Sequence, residues 1–275
     1  MTESLDAGLI ATLERCELAA WGDFFGSASA ATARTCGLQT GQVGGGLATS
    51  AARSDALALN RVSGLGLDRP ADATDLDRII RFFAAVKVSR FFVQLSPAAR
   101  QSDLREQLEA KGLRHYNNWM KLYRDTSPLP AARTDLEIRP IDEEYAQQFG
   151  ELVASNFNWP EPFKNWVAGL VGRGGWRHYI AFDGPKPVAT GALFVDRGHA
   201  WLDFATTDPE YRGRGAQSAL LTRRISDAAE LGCDLLVVET AEDRPEKPAP
   251  SFRNQLRFGF KVAYARPNYI YEMKE

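Results

Sequence analysis

The stretch Pro209–Leu221, PEYRGRGAQSALL, sets two arginines and two glycines where an apolar strand pattern gives way to a helical one. Main-chain amides at a helix start have no intrahelical partner, and the macrodipole adds about half a positive charge there. Gly213 and Gly215 leave that backbone bare, so an anion can approach it, and Arg212 and Arg214 raise the local potential. Such a loop suits a phosphate; the alternative is a solvated basic turn. Two acids also stand alone on apolar strands, Glu239 in VVET and Asp203 in WLDFA. A solitary carboxylate is costly to bury unless it faces a cleft, so each is a candidate proton carrier or else a solvated strand-end acid.

Phosphate loops differ in what surrounds the glycines. A Walker loop requires GxxxxGK[ST], and no lysine stands at the required place. A dinucleotide fingerprint is met in part, since Gly213, Gly215 and Ser218 give GxGxxS and Glu239 follows, which would make the chain an NAD-dependent oxidoreductase. Against it, TDPEYR separates strand from glycines, and few parallel strands remain to complete such a sheet.

The elements around the loop read as strand, helix, apolar strand, short helix. HAWLDFATTDP is a strand; the helix after the loop carries Leu221, Ile225 and Ala228 on one face and ends at Gly232. DLLVVET (Asp234–Thr240) is a continuous apolar strand of the buried parallel kind. SFRNQLRF is a short helix ending at Gly259, and a final hairpin carries Tyr264, Tyr269 and Tyr271. Upstream, LEIRPI is a strand, Asp142–Phe157 a helix, and WRHYIAFDG and KPVATGALFVDRG are antiparallel strands joined at Asp183-Gly184-Pro185.

The first half repeats part of this order. Asp55–Gly66 reads as a strand running into a loop. Thr74–Lys87 reads as a helix capped by Thr74, with Leu76, Ile80, Phe83 and Lys87 on one face. RFFVQLSP, LREQLEAKGL and HYNNWMKLYR then parallel the later strand, short helix and aromatic hairpin. The polar, proline-bearing RDTSPLPAARTD separates the halves, giving domains at 1–125 and 136–275 with a linker at 126–135. The loop before the first half's helix, GLDRPADATD, is acidic and lacks the second glycine; an anion would not choose it.

The run TTDPEYRGRGAQSALL, followed by DLLVVET and SFRNQLRFGF, resembles the GCN5-related N-acetyltransferase superfamily, from LEIRPI to NYIYEM in order. The family's loop is Arg or Gln, two residues, Gly, one residue, then Gly or Ala; Arg212 and Gly215 match it, and Gln217 stands in the last place. The resemblance implies a mixed α/β fold, partly antiparallel, in two tandem acyltransferase-like domains, the first a degenerate copy without a cofactor loop. It implies acetyl-CoA as co-substrate. The pantetheine would lie along Ala205, Thr206 and Thr207, and the pyrophosphate on Arg212, Gly213, Arg214, Gly215, Ala216 and Gln217. Ser251 and Asn254 would lie beside the pantetheine, with helix capping the alternative for Ser251.

The implied reaction is acetyl transfer to a primary amine of a small molecule by direct attack in a ternary complex. Glu239 is the first choice of base and Asp203 the second. The tyrosine that serves as acid in many members is replaced by Gln255, so either Tyr264 or Tyr269 substitutes or the thiolate leaves unaided. Loops Ser155–Pro162, with Phe157 and Trp159, and Ala241–Pro250 would frame the acceptor. The rival of another class is a non-catalytic acyl-CoA sensor.

Composition sets the remaining bounds. The 275 residues suffice for two domains of roughly 100–150 each. A formal charge of -2 argues against a nucleic-acid partner. Cys16, Cys36 and Cys233 are scattered, and His115, His178 and His199 are far apart in sequence, so neither a disulfide framework nor a zinc site is expected. The polar, acidic MTESLDAGLI and the lack of long apolar runs point to a cytoplasmic protein without membrane attachment, monomer or homodimer.

Overall fold

Two crossover connections organise the chain. In each, an antiparallel series of strands ends in a strand that passes through a helix to a parallel neighbour. The computed structural model describes residues 5–100, 103–128 and 132–273; residues 129–131 of the expected linker lie outside it.

The first unit comprises Met1–Lys121, Glu239–Ala249 and Val262–Glu275. It opens with α1 (Ala7–Gly26) and α2 (Ala30–Cys36), then β1 (Leu38–Val43), β2 (Gly46–Ala51) and β3 (Arg61–Ser63). Helix α3 (Ala73–Ala85) leads to β4 (Arg90–Gln94), which pairs parallel to β3, and α4 (Leu104–Ala110) leads to β5 (Arg114–Arg124). Phe83 stacks on Phe91 with centroids 4.0 Å apart at the centre of an apolar core that includes Leu76, Ile79 and Val93. The cap of α3 is Asp72 rather than Thr74, Ile79 rather than Ile80 fills the core, and Lys87 lies exposed past the helix end with φ 58°.

The second unit comprises Leu122–Val238 and Pro250–Lys261. Strand β6 (Glu137–Ile141) precedes α5 (Ala146–Asn156) and α6 (Phe163–Ala168). Then come β7 (Trp176–Asp183), β8 (Lys186–Asp196) and β9 (His199–Thr207), antiparallel in series. Helix α7 (Ala216–Glu230) crosses to β10 (Leu235–Ala241), parallel to β9, and α8 (Pro250–Arg257) follows. Leu221, Ile225 and Ala228 are buried as their spacing requires, and Gly232 ends the helix with φ 76°. In order across the sheet the strands run β10-β9-β8-β7-β6.

The last aromatic segment is one strand, β11 (Lys261–Glu272), and its counterpart β5 is one strand too; neither is the hairpin expected. Neither run offers a turn pair with positive φ, so nothing reverses the chain. Pro267 fits because its carbonyl accepts from Leu95 N while its missing N–H is not called on there. Strand β11 pairs antiparallel with β4, Tyr271 opposite Phe91 and Asn268 opposite Gln94, in the order β1-β2-β3-β4-β11-β5. The division between units therefore does not follow a single cut in the chain.

Candidate active site

The loop after β9 folds as its glycines dictate. Asp208 caps a 3-10 turn at Pro209–Tyr211, and Gly213 and Gly215 take φ of 84° and 81°. Gly215 is the N-cap of α7, and a Cβ there would lie 2.3 Å from the carbonyl oxygen of Arg133. Among the described residues no side chain caps α7, and its first turn holds no acid. The matching helix of the first unit is closed. Asp72 Oδ1 accepts from Asp75 N, Asp75 returns the bond to Asp72 N, and Arg69 forks onto Asp75 at 2.7 and 2.8 Å. One helix start is filled by its own carboxylates; the other presents bare amides.

The arginines of the loop differ. Arg214 is held by Asp135 and Asp183, its Nη1 donating to Asp183 Oδ2 at 3.0 Å. Those partners drive its proton affinity above even the usual guanidinium value. Thr134 Oγ1 also donates to the Arg214 carbonyl at 2.8 Å, so residues 133–135 lie against the loop.

Strand β9 splays from β10. The register pairs end at Val237 opposite Trp201, so the edge of β9 from Leu202 onward has no β10 partner in the register. On its other side, pairing with β8 breaks between Thr190 and Ala192, and Phe204 at the break takes φ 48°. This bulge carries Asp203, whose carboxylate accepts from Trp201 Nε1 at 2.8 Å and from Phe204 N at 2.7 Å. Ala205 is exposed, while Thr206 is buried.

Gln217, at the position where the loop pattern has a small residue, turns its amide inward. Its Nε2 donates to Thr206 O at 2.7 Å, Thr190 O at 3.1 Å and Thr207 Oγ1 at 3.1 Å. Helix α8 meets α7 through Ser218 Oγ, which donates to Asn254 Oδ1 at 3.4 Å; the same oxygen accepts from Arg257. Ser251 is exposed within the first turn of α8. Gln255 is buried, and among the described residues its Oε1 has no hydrogen-bond partner.

Glu239 is held by ion pairs to Arg266, Lys121 and Arg61. In the first unit it joins Glu14, Glu17, Arg61, Lys121 and Arg266, three acids among three bases. Burial raises its proton affinity; Arg266 opposes that, and neighbouring Glu17 adds to the rise. Glu17 is the reverse case. Burial works against its charge, yet Arg266, Lys121 and Arg61 hold its carboxyl well below the usual range. Tyr264 donates to Glu14 Oε1 at 2.6 Å, and burial with that carboxylate pushes its phenol far above the ordinary value. The proton-carrying candidates thus separate: Glu239 and Tyr264 in this cluster, Asp203 at the β9 bulge.

Of the expected acceptor loops, Phe157 is exposed beside Trp159, which stacks on Trp166 at 22°. The segment 241–249 is tied by Asp243 Oδ1, which accepts from Ala249 N at 2.7 Å, and by Glu242, which accepts from Arg244 and Asn118. The sequence reading missed Arg224, a fully buried arginine of α7 that reaches the bulge. Its signal was visible, a charge on the apolar face formed by Leu221, Ile225 and Ala228. Among the described residues no group of histidine, cysteine and carboxylates is arranged to hold a metal, and no helix is long and apolar enough to cross a membrane.

Comparison with known proteins agrees with this geometry. Residues 138–249 match the acetyltransferase (GNAT) family. A search of the curated proteins finds no match. Among solved structures, a GCN5-related N-acetyltransferase from Kribbella flavida superposes with TM-score 0.61 at 16% identity, over 90% of this chain and 98% of that one. One from Sphaerobacter thermophilus gives 0.60 at 16%, over 99% and 95%. A tandem GNAT protein from the clavulanic acid biosynthesis pathway gives 0.54 at 15%, over 78% and 75%. Residues 138–249 thus match the acetyltransferase (GNAT) family, and the two-unit chain has the fold of these GCN5-related N-acetyltransferase structures, a tandem one included.

Proposed function

We propose that the protein transfers an acetyl group from acetyl-CoA to a primary amine of a small molecule, with the donor held entirely by the second unit. The observation that carries this reading is the start of α7: a long helix with no side-chain cap, no acid in its first turn and an αL glycine before it, beside the unpaired edge of β9. Bare amides and the helix dipole favour a pyrophosphate, and the unpaired edge offers main-chain groups at Ala205 to Thr207 to the amides of a pantetheine arm. In the first unit the equivalent amides are taken by Asp72 and Asp75, which supports a role there as scaffold without donor.

Direct attack is favoured over an acyl-cysteine route. All three cysteines are buried, and burial pushes the Cys36 and Cys233 thiols up, away from the reactive thiolate. The amine nitrogen forms a bond to the thioester carbon, a carboxylate takes the amine proton, and the carbon–sulfur bond breaks as the thiolate leaves. Asp203 is the carboxylate assigned that proton, since Glu239 and Tyr264 are engaged in the charge cluster.

Calorimetric titration of acetyl-CoA into wild type and Ser218→Asp tests the donor site. A carboxylate at the third helical position favours the helix itself but opposes an anion at its start. Tight binding by wild type and a loss of about thirtyfold or more in a variant of unchanged or higher Tm is expected. Absence of binding by wild type would sink the reading. Binding without turnover across a panel of amines would favour the sensor.

A further inference from the structure

The bulge in β9 frees carbonyl groups that a regular ladder would use, and side chains from α7 and β8 take them. Arg224 Nη1 donates to Ala192 O at 3.3 Å and Asp203 O at 3.4 Å, and its Nε to Leu220 O at 3.2 Å. Thr190 Oγ1 donates to Phe204 O at 2.7 Å, and Gln217 takes Thr190 O and Thr206 O. Arg224 is 1% exposed, and among the described residues it makes no ion pair with a carboxylate. Burial works against its charge, and main-chain carbonyls with the nearby Tyr179 and Asp203 offset part of that cost. Gly191 makes room for it: a Cβ there would lie 3.0 Å from Arg224 Cζ. The distorted strand also holds an aromatic residue, Phe204, in the left-handed region, a strained conformation that persists only when its surroundings impose it.

We propose that Arg224 and Gln217 are positioning residues: together they clamp the β9 bulge from behind, so that its amides meet the donor thioester in fixed geometry. Arg224 donates to the Asp203 carbonyl, and a donor there strengthens the N–H on the far side of that peptide, at Phe204. That N–H holds the Asp203 carboxylate, so the same clamp orients the assigned base. The clamp itself stands on the unliganded geometry; its use toward the thioester rests on the acetyl-CoA reading above.

Two readouts test it on the full chain, in wild type, Arg224→Met, Arg224→Lys and Gln217→Gly. The first is amide hydrogen exchange without ligand. Peptides covering 203–207 should exchange about tenfold faster or more in Arg224→Met and Gln217→Gly, with those of β7 and α5 unchanged and Arg224→Lys partly rescued. The second is the infrared carbonyl band of bound acetyl-CoA labelled with heavy carbon at that carbonyl. It should sit at lower frequency on wild type than in water and return toward the free value in Arg224→Met, while affinity changes by less than about threefold. Unaltered exchange at 203–207 in the folded variants overturns the clamp. An unmoved band overturns the use of the clamp toward the thioester. If wild type binds no acetyl-CoA, the donor reading and the band fall together, and exchange decides the clamp by itself. Should Arg224→Met not fold, Arg224→Lys and Gln217→Gly carry both readouts.

Discussion

Arg266 and Glu17 face each other through two hydrogen bonds, Nη1 to Oε2 at 2.6 Å and Nη2 to Oε1 at 3.0 Å, with neither side chain exposed. Glu14, Glu239, Lys121 and Arg61 complete a cluster in which each charge is balanced. Removing one member strands the others in low dielectric. Arg266→Met is expected to cost about 3–5 kcal/mol in urea unfolding, and Arg266→Met with Glu17→Leu far less than the sum of the two. Additive losses would mean that the members act independently.

His178 gives a pH dependence of known sign. It is buried between Trp176 and Phe149, and burial, aided by Arg177, lowers its pKa to about 3. The native state keeps the ring neutral while the unfolded chain binds a proton below about 6.5. The stabilisation is therefore complete above 6.5 and lost as pH falls toward 3, on the order of 4 kcal/mol. His178→Phe should flatten that part of the stability curve; an equal acid loss in the variant would assign it elsewhere.

Asp135 and Asp183 hold Arg214, and the phosphate of the proposed donor would compete with them for it. Asp135→Asn and Asp183→Asn should each tighten acetyl-CoA binding at low salt, and the gain should shrink as salt rises. Calorimetry at two ionic strengths measures this; unchanged affinity would mean that Arg214 serves only to hold the loop.

Gly150 marks the close approach of α5 and α6, where a Cβ would lie 2.2 Å from the Lys164 carbonyl oxygen. Since backbone rather than a flexible side chain is struck, Gly150→Ala forces the helices apart and is expected to cost on the order of 2 kcal/mol. An unchanged Tm would show that the pair separates freely.

Much of the second unit was legible. Strands β6 to β10 and helices α5, α7 and α8 follow from period, turn residues and glycine caps, because local sterics decide those features. Helix α1 was not read: Glu14 and Glu17 lie on its buried face and break the apolar pattern. Their partners are supplied by β5, β10 and β11, and sequence distance hides such pairs.

By itself, the sequence determined the glycine loop that opens a helix, the order of elements in the second half and the acidic character of the counterpart loop in the first. Local chemistry is enough for these, since glycine φ, helix ends and capping carboxylates act within a few residues. Only the tertiary structure decided that Glu239 and Tyr264 join a buried charge cluster, that β11 pairs with β4, and that Arg224 and Gln217 hold the β9 bulge. Those outcomes depend on which buried charge and which freed carbonyl meet across the fold, and desolvation makes such meetings obligatory without writing them into any local pattern.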